Sequence, residues 1–569
     1  MTDYQIGKVI GVSGDEVIIS LAPHDSTGNG HGVPESMSID LLSESGPVPI
    51  LVGQPGTFIT ISLPSGKLLC MVTEIDMRER RTTQTEVRDA VSDGLLTIDE
   101  ASRELRAIPV GTLDAAGNFE RGSDILPTVN APVFVVSPAQ INQIYSSYAD
   151  GDFDIGFLSL LPSQPAKINL DAFLTRHAAI LGQTGGGKSW TVASIIQRIC
   201  KFPQSTVVLL DLHGEYSKVF GEDADVISAS DLELPYWLMN SEELLGLMVD
   251  RSESAAPNQI AKFKELLQTA KESHPENKAL DLKRITIDTP VYFDFNTILR
   301  EFERLDTERI QGSRGERNGP LFGEFTRLLM RIGSRLNDRR YDLIFKPKTY
   351  NTSASMEALF KRLLGESDGN RKKAVVIDLS PVPFDVRSSI ISLILRCLFD
   401  FAYWYRRVNG KAFPIAAFAD EAHIYLRDGD PSMAAAKHAA ERIAKEGRKY
   451  GISLTVMSQR PREVSATILS QCSSFLCLRI ANPDDQAYVK SLLPDSMSGI
   501  ATMFSTLRRG ECILLGDAVM MPTRIKIARP DPAPNSEDAS FYNTWNSLPE
   551  DINMGNVLHA WRAQEVTTT

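Results

Sequence analysis

Eight consecutive residues, Gly182, Gln183, Thr184, Gly185, Gly186, Gly187, Lys188 and Ser189, fit the pattern G-x-x-x-x-G-K-[ST]. Glycines at that spacing let backbone N–H groups wrap a polyphosphate at a helix N-terminus. Lys188 would neutralise the β- and γ-phosphates, and the Ser189 hydroxyl would ligate Mg²⁺. The expected cofactors are therefore ATP and Mg²⁺, with all eight residues lining the nucleotide. The mechanism requires a buried strand before the loop and a helix after it. "RHAAILG" (176–182) and "GKSWTVASIIQRIC" supply them.

Further chemistry lies downstream. "PIAAFADEAH" reads as a buried strand ending in Asp420 and Glu421. Asp420 would hold the Mg²⁺ shell, and Glu421 could polarise a water for in-line attack on the γ-phosphate, which favours a hydrolase over a kinase. "SLTVMSQRP" puts Gln459 at another strand end, where its amide senses the γ-phosphate, holds the water or caps the strand. "VVLLDLHGEY" brings Asp211, His213 and Glu215 to the edge where open α/β sheets bind ligands. "AAERIAKEGRKYG" ends a helix with Arg448 and Lys449. These are either favourable charges at a helix C-terminus or an arginine finger for a neighbour's γ-phosphate. Arg176, just before the strand that feeds the phosphate loop, carries the same two readings.

The elements that must position these groups read as buried strands alternating with helices. Such a pattern gives an α/β fold with a parallel sheet covered on both faces. About 150 residues separate the strand in "STVVLLDLHGEY" from that in "KAVVIDLS", and much of that stretch has helical periodicity. The expected organisation is a β-barrel over 1–165, a first core part over 166–239, a helical insertion over 240–370, a second core part over 371–530 and an arm over 531–569. Within the first unit, 78–125 is charged and irregular and is expected to be a helix or loop excursion. The insertion holds Arg300, Arg304, Arg309, Arg314, Arg317, Arg327, Arg331, Arg335, Arg339 and Arg340. They form either a solvated face balanced by neighbouring acids or a docking surface.

The formal net charge of −12 over 569 residues argues against a wholesale nucleic-acid-binding surface, though not against a local basic channel. The six cysteines include no C-x-x-C pair, which argues against zinc. With no secretion signal, they point to the reducing cytoplasm. "SSIISLILRCLFDFAYWY" (388–405), interrupted by Arg396 and Asp400, reads as a core helix rather than a membrane span.

In their order along the chain, "GFLSLLPSQPAKINLDAFLTRHAAILGQTGGGKS", "LLDLHGEY", "FADEAH", "IAKEGRKYG", "SQRPREVSATILSQCSSFLCLRI" and "LRRGECILLG" resemble the HerA–FtsK family of ATPases, and HerA most. The resemblance implies a RecA-like P-loop motor with an N-terminal small β-barrel. It implies a homohexameric ring with ATP between subunits and double-stranded DNA in the pore. It carries Lys188 and Ser189 to nucleotide binding, Glu421 to catalysis, Gln459 to a sensor position, and Arg448 and Arg176 to positions from which arginines reach the active site. Such motors work with a nuclease or sirtuin-like effector docked on the barrel. The role expected here is a DNA translocase or helicase in anti-phage defence. DNA-end repair and an ATP-gated scaffold for the effector are the alternatives. A membrane-docked conjugative pump is disfavoured, because the sequence shows no membrane segment.

Overall fold

The computed structural model describes residues 4–563 apart from 24–31, 44–45, 80–100, 115, 147–152, 160, 229–230, 313–314, 368, 494, 537–539 and 548–553. Six strands near the N-terminus close on themselves. Gln5–Val12 pairs with Val17–Leu21 and Pro132–Val135, and Phe58–Leu63 pairs with Pro132–Val135 and Gly66–Glu79. Ala101–Leu113 then joins Gly66–Glu79 to Val17–Leu21 and completes the barrel. Alternation drives the closure: Val17, Ile19 and Leu21, Ile59 and Ile61, Leu68 and Val72, Leu105 and Ala107 point into one small core.

The expected helix or loop excursion over 78–125 is corrected in part. Residues 101–113 are a barrel strand, whose charged Glu104 and Arg106 alternate with inward Leu105 and Ala107. Its Pro109 sits opposite Cys70, where the register shifts, a place where a missing N–H is tolerated. Residues 80–100 of that stretch lie outside the described residues. The outer face of the same two strands, through Leu69, Met71, Ile108 and Val110, belongs to the main core and so joins barrel to motor.

The motor is one eleven-stranded sheet. Seven strands run parallel in the order Ser474–Cys477, Ala178–Leu181, Ile452–Ser458, Ile415–Ala419, Val207–Asp211, Ala374–Asp378 and Ala224–Ile227. The central strands are buried along their whole length, as a sheet covered on both faces requires. Helices Lys188–Ile199, Phe384–Asn409 and Ala434–Tyr450 supply cover. The strand after the phosphate-loop helix lies three places away from the phosphate-loop strand, and a RecA-like order results. The antiparallel strands Glu511–Gly516, Thr523–Ile527, Asp154–Leu158 and Leu161–Lys167 extend the other edge. Asp154–Leu158 and most of Leu161–Lys167, placed with the barrel by sequence, thus belong to the motor sheet, because their apolar faces meet its core.

Between Val207–Asp211 and Ala374–Asp378 lies the helical insertion, with Ser241–Met248, Ala256–Ser273, Phe295–Thr307, Thr326–Asn337 and Met356–Leu363 as its main helices. Asn240 and Glu243 form a capping box at the first of them. Glu243 also meets the buried guanidinium of Arg396 at 2.9 Å and so ties the insertion to the core helix. Arg300, Arg304, Arg309, Arg331 and Arg340 each pair with a nearby acid, the solvated-face reading. Arg314 lies outside the described residues. Residues 535–569 form a separate compact unit containing helices Phe541–Asn546 and Met554–Ala563. Among the described residues no helix is long and apolar enough to cross a membrane, and all six cysteines are buried and unpaired.

Trp237 is fully buried, and its indole N–H donates to the Tyr350 carbonyl at 2.9 Å. Trp237→Ala should cost about 3–5 kcal/mol of stability, read as a lowered unfolding midpoint in denaturant.

Candidate nucleotide site

The phosphate loop is glycine-built for a backbone reason. Gly185 and Gly187 lie at φ +73° and +102°, left-handed values that cost a side chain energy. Gly187 caps the helix Lys188–Ile199, and a Cβ on Gly182 would sit 2.8 Å from Leu478 Cβ. Neighbouring strand ends pin the loop. Gly182 donates its N–H to Ser458, Gln183 donates to Arg479, and Gly186 accepts from Gly510, at 2.9 to 3.2 Å. The peptide groups around the loop are therefore held before any phosphate arrives.

Lys188 opens the helix and is only 8% exposed, with its Nζ 3.8 Å from Glu421 Oε1 and 3.5 Å from the Gln183 carbonyl. The strand Ile415–Ala419 delivers Asp420 and Glu421 to the same edge. Asp420 is buried. Its carboxylate accepts the Glu421 N–H at 2.9 Å, and its carbonyl accepts the Tyr425 hydroxyl at 2.8 Å. Burial pushes its carboxyl well above the ordinary range, and repulsion from Glu421, Asp211 and Glu215 pushes the same way. Glu421 is also raised, first by burial, with Lys188 opposing. Its backbone is left-handed at φ +44°, strain that costs roughly 1–3 kcal/mol and accumulates where a side chain must be aimed.

Gln459 follows the strand between the phosphate-loop strand and the acidic strand. Its side-chain oxygen accepts the Thr184 hydroxyl, and its backbone N–H faces the Glu421 carboxylate. Gln459 so links loop and acid, the loop through its side chain and the acid through its backbone. Asp211 turns inward: its carboxylate accepts N–H groups from His213, Gly214, Glu215 and Tyr216. That is a loop-building role rather than a ligand-facing one. Glu215 stays with the acidic cluster, one of its oxygens buried without a hydrogen bond, as is Glu421 Oε2. His213 and His423 flank Glu421; His423 Nδ1 is 3.3 Å from Oε2, and burial pushes its pKa down to about 4. His423 and the buried Tyr216, which lies beside Ser189, carried no functional signal of their own in the sequence.

Among the described residues no group of three His, Cys, Asp or Glu could hold a metal ion by itself. Mg²⁺ bound jointly with phosphates needs only one or two protein ligands and keeps several waters. The Ser189 hydroxyl and the buried Asp420 carboxylate match that donor set.

Arg448 and Arg176 are elsewhere. Arg448 precedes the strand Ile452–Ser458 and Arg176 precedes Ala178–Leu181, whereas the phosphate loop and Gln459 follow those strands. The two arginines stand at the opposite edge of the sheet, about 20 Å from the acids at 3.3 Å per strand residue. Arg448 is exposed. Arg176 pairs with Asp517 at 2.6 Å, and Asp517 also meets the barrel's Arg121 at 3.4 Å. Neither arginine reaches Glu421 within one chain.

With this geometry in place, similarity to known proteins is informative. Residues 153–398 match the family described as "Helicase HerA, central domain". The chain is 26% identical over 510 residues to the DNA double-strand break repair helicase HerA of Saccharolobus solfataricus, covering 87% of this chain and 92% of that one. It is 28% identical over 442 residues to HerA of Sulfolobus acidocaldarius (77% and 81% covered) and 27% identical over 463 residues to HerA of Pyrococcus furiosus (74% and 77%). Among solved structures, VirB4 of Thermoanaerobacter pseudethanolicus is similar with a TM-score of 0.41 at 14% identity, covering 67% of this chain and 97% of that one.

Two outcomes follow from the carboxylates. Because the folded Asp420 binds a proton more readily than the unfolded one, its contribution to stability falls as pH rises from the ordinary carboxylate value through its raised one. Asp420→Asn should therefore stabilise the nucleotide-free protein at neutral pH, by on the order of 1 kcal/mol in thermal unfolding, while ATP turnover is lost. A general base must be ionised to accept a proton, so with Glu421 in that role the acid limb of turnover should lie above the ordinary glutamate value of 4.5. Glu421→Gln should lower turnover about 10²–10⁴-fold and leave ATP affinity nearly unchanged, as nucleotide titration would show.

Proposed function

We propose that the chain is an ATP-hydrolysing motor that translocates on or unwinds double-stranded DNA as a homohexamer. The observation that carries this reading is the buried Glu421 carboxylate, held beside Lys188 and the Gln459 N–H in a HerA-type central domain. The similar proteins named above, all DNA double-strand break repair helicases, support DNA as the track.

In this reading Ser189 and Asp420 would hold the Mg²⁺ that accompanies ATP, and the cation would draw charge from the phosphates. The loop N–H groups and Lys188 cradle the β- and γ-phosphates. Once Lys188 turns to the phosphates, Glu421 loses its cationic neighbour and gains basicity, so it can take a proton from the attacking water. Gln459, tied to Thr184, reports whether the γ-phosphate is present. Arg448 and Arg176, at the far edge of the sheet, complete the site of an adjacent copy rather than their own.

The barrel is the docking place for an effector, a nuclease or sirtuin-like protein, and the motor works in the cytoplasm. We place it in anti-phage defence. DNA-end processing in repair is the second reading, and the names of the archaeal relatives favour it. An ATP-gated scaffold that activates the effector is the third.

ATP turnover of the purified protein should rise several-fold on adding duplex DNA and disappear in Lys188→Ala. Equal turnover with and without DNA would sink the motor reading and leave the scaffold. Mixing Glu421→Gln and Arg448→Ala copies should restore part of the turnover that each lacks alone. No recovery on mixing would place Arg448 outside the active site.

A further inference from the structure

Ser189 and Trp190 are adjacent in the first turn of the helix Lys188–Ile199 but face different neighbours. Ser189 lies beside Tyr216 and the acidic strand end, the side where phosphates and cation belong. Trp190 lies under two guanidiniums: Arg529 sits 5.2 Å and Arg509 5.8 Å from its ring centroid. Both arginines are exposed, and among the described residues neither makes an ion pair or a hydrogen bond. The indole N–H is likewise without an acceptor among the described residues.

This convergence is built rather than incidental. Arg509 belongs to a turn whose next residue, Gly510, donates its N–H to Gly186 of the phosphate loop at 3.2 Å. Gly510 also accepts from Ile527, which fixes the strand end that carries Arg529. Gly187 comes so near that a Cβ on it would lie 3.3 Å from Gly510. Two like charges are thus held over one ring beside a helix N-terminus, with no acid to offset them. Cation–π attraction to the ring offsets their repulsion only in part. An occupant that is anionic at one end and flat and aromatic at the other would complete the group.

We propose that Trp190, Arg509 and Arg529 form the base and ribose side of the nucleotide site, with the nucleobase stacked against the Trp190–guanidinium platform and the α-phosphate facing the arginines. This assignment rests on the phosphate-loop reading above and extends it from the triphosphate to the rest of the nucleotide. Stacking scales with flat area, which differs between purines and pyrimidines but not between adenine and guanine. The site therefore distinguishes purine from pyrimidine better than adenine from guanine.

The test is calorimetric binding of ATP, CTP and inorganic tripolyphosphate, each with Mg²⁺, to the full chain and to Trp190→Ala, Trp190→Phe and Lys188→Ala. Trp190→Ala should bind ATP roughly ten-fold more weakly and lose the preference for ATP over CTP, with tripolyphosphate affinity unchanged. Trp190→Phe should keep most of the ATP affinity, because a flat ring remains. An ATP affinity in Trp190→Ala within about two-fold of wild type, or an equal loss for ATP and tripolyphosphate, overturns the proposal. If Lys188→Ala binds tripolyphosphate as well as wild type does, the phosphate-loop reading fails instead, and the base-side assignment falls with it.

Discussion

Everything at the site depends on one constraint, the concealment of several carboxylates at the end of a parallel sheet. Asp420, Glu421, Glu215 and Asp211 lie close enough to repel one another, in surroundings too dry to screen them. Four backbone N–H groups satisfy Asp211, and Lys188 partly offsets Glu421. Among the described residues the Asp420 carboxylate has only the Glu421 N–H, so the cluster is short of positive charge. A site in that state attracts a cation and ionises a base more readily once the cation is present. The left-handed backbone of Glu421 is a second cost borne for the same geometry. Stability is given up locally, and the large covered sheet around it supplies the surplus.

The sheet converts this chemistry into a position. In register, Leu181 stands level with Ser458 and Cys477, and Leu210 with Ala419. The residues that follow these strands therefore emerge together, and the phosphate loop is hydrogen-bonded to its neighbours before ligand arrives. The same register separates the arginines from the acids, since residues preceding parallel strands emerge at the other edge. The acids and Arg448 therefore lie at opposite ends of the strands within one chain.

Much of this was legible in the order of residues. The phosphate loop, the acidic strand end and the polar strand end each have a local signature: a glycine spacing, or an apolar run stopped by a particular polar residue. Barrel strands were legible where Gly and Pro mark the turns. They were obscured at 101–113, where Glu104 and Arg106 interleave with the inward residues and Pro109 argues locally against a strand. Only the pairing across from Cys70 shows that a register shift accommodates it. Asp211 looked ligand-facing from its place at a strand end. Its use by its own loop is a matter of side-chain direction, which spacing does not encode.

The sequence by itself determined which groups carry the chemistry and that they sit at strand ends, because buried strands and glycine loops are set by local composition. Tertiary structure decided which strands are neighbours, and hence that Gln459 lies between Thr184 and Glu421 while Arg448 lies far from both. It also decided that Trp190 meets Arg509 and Arg529, residues more than three hundred positions along the chain. Contacts at that separation arise from the closing of the sheet, and no local pattern of residues records them.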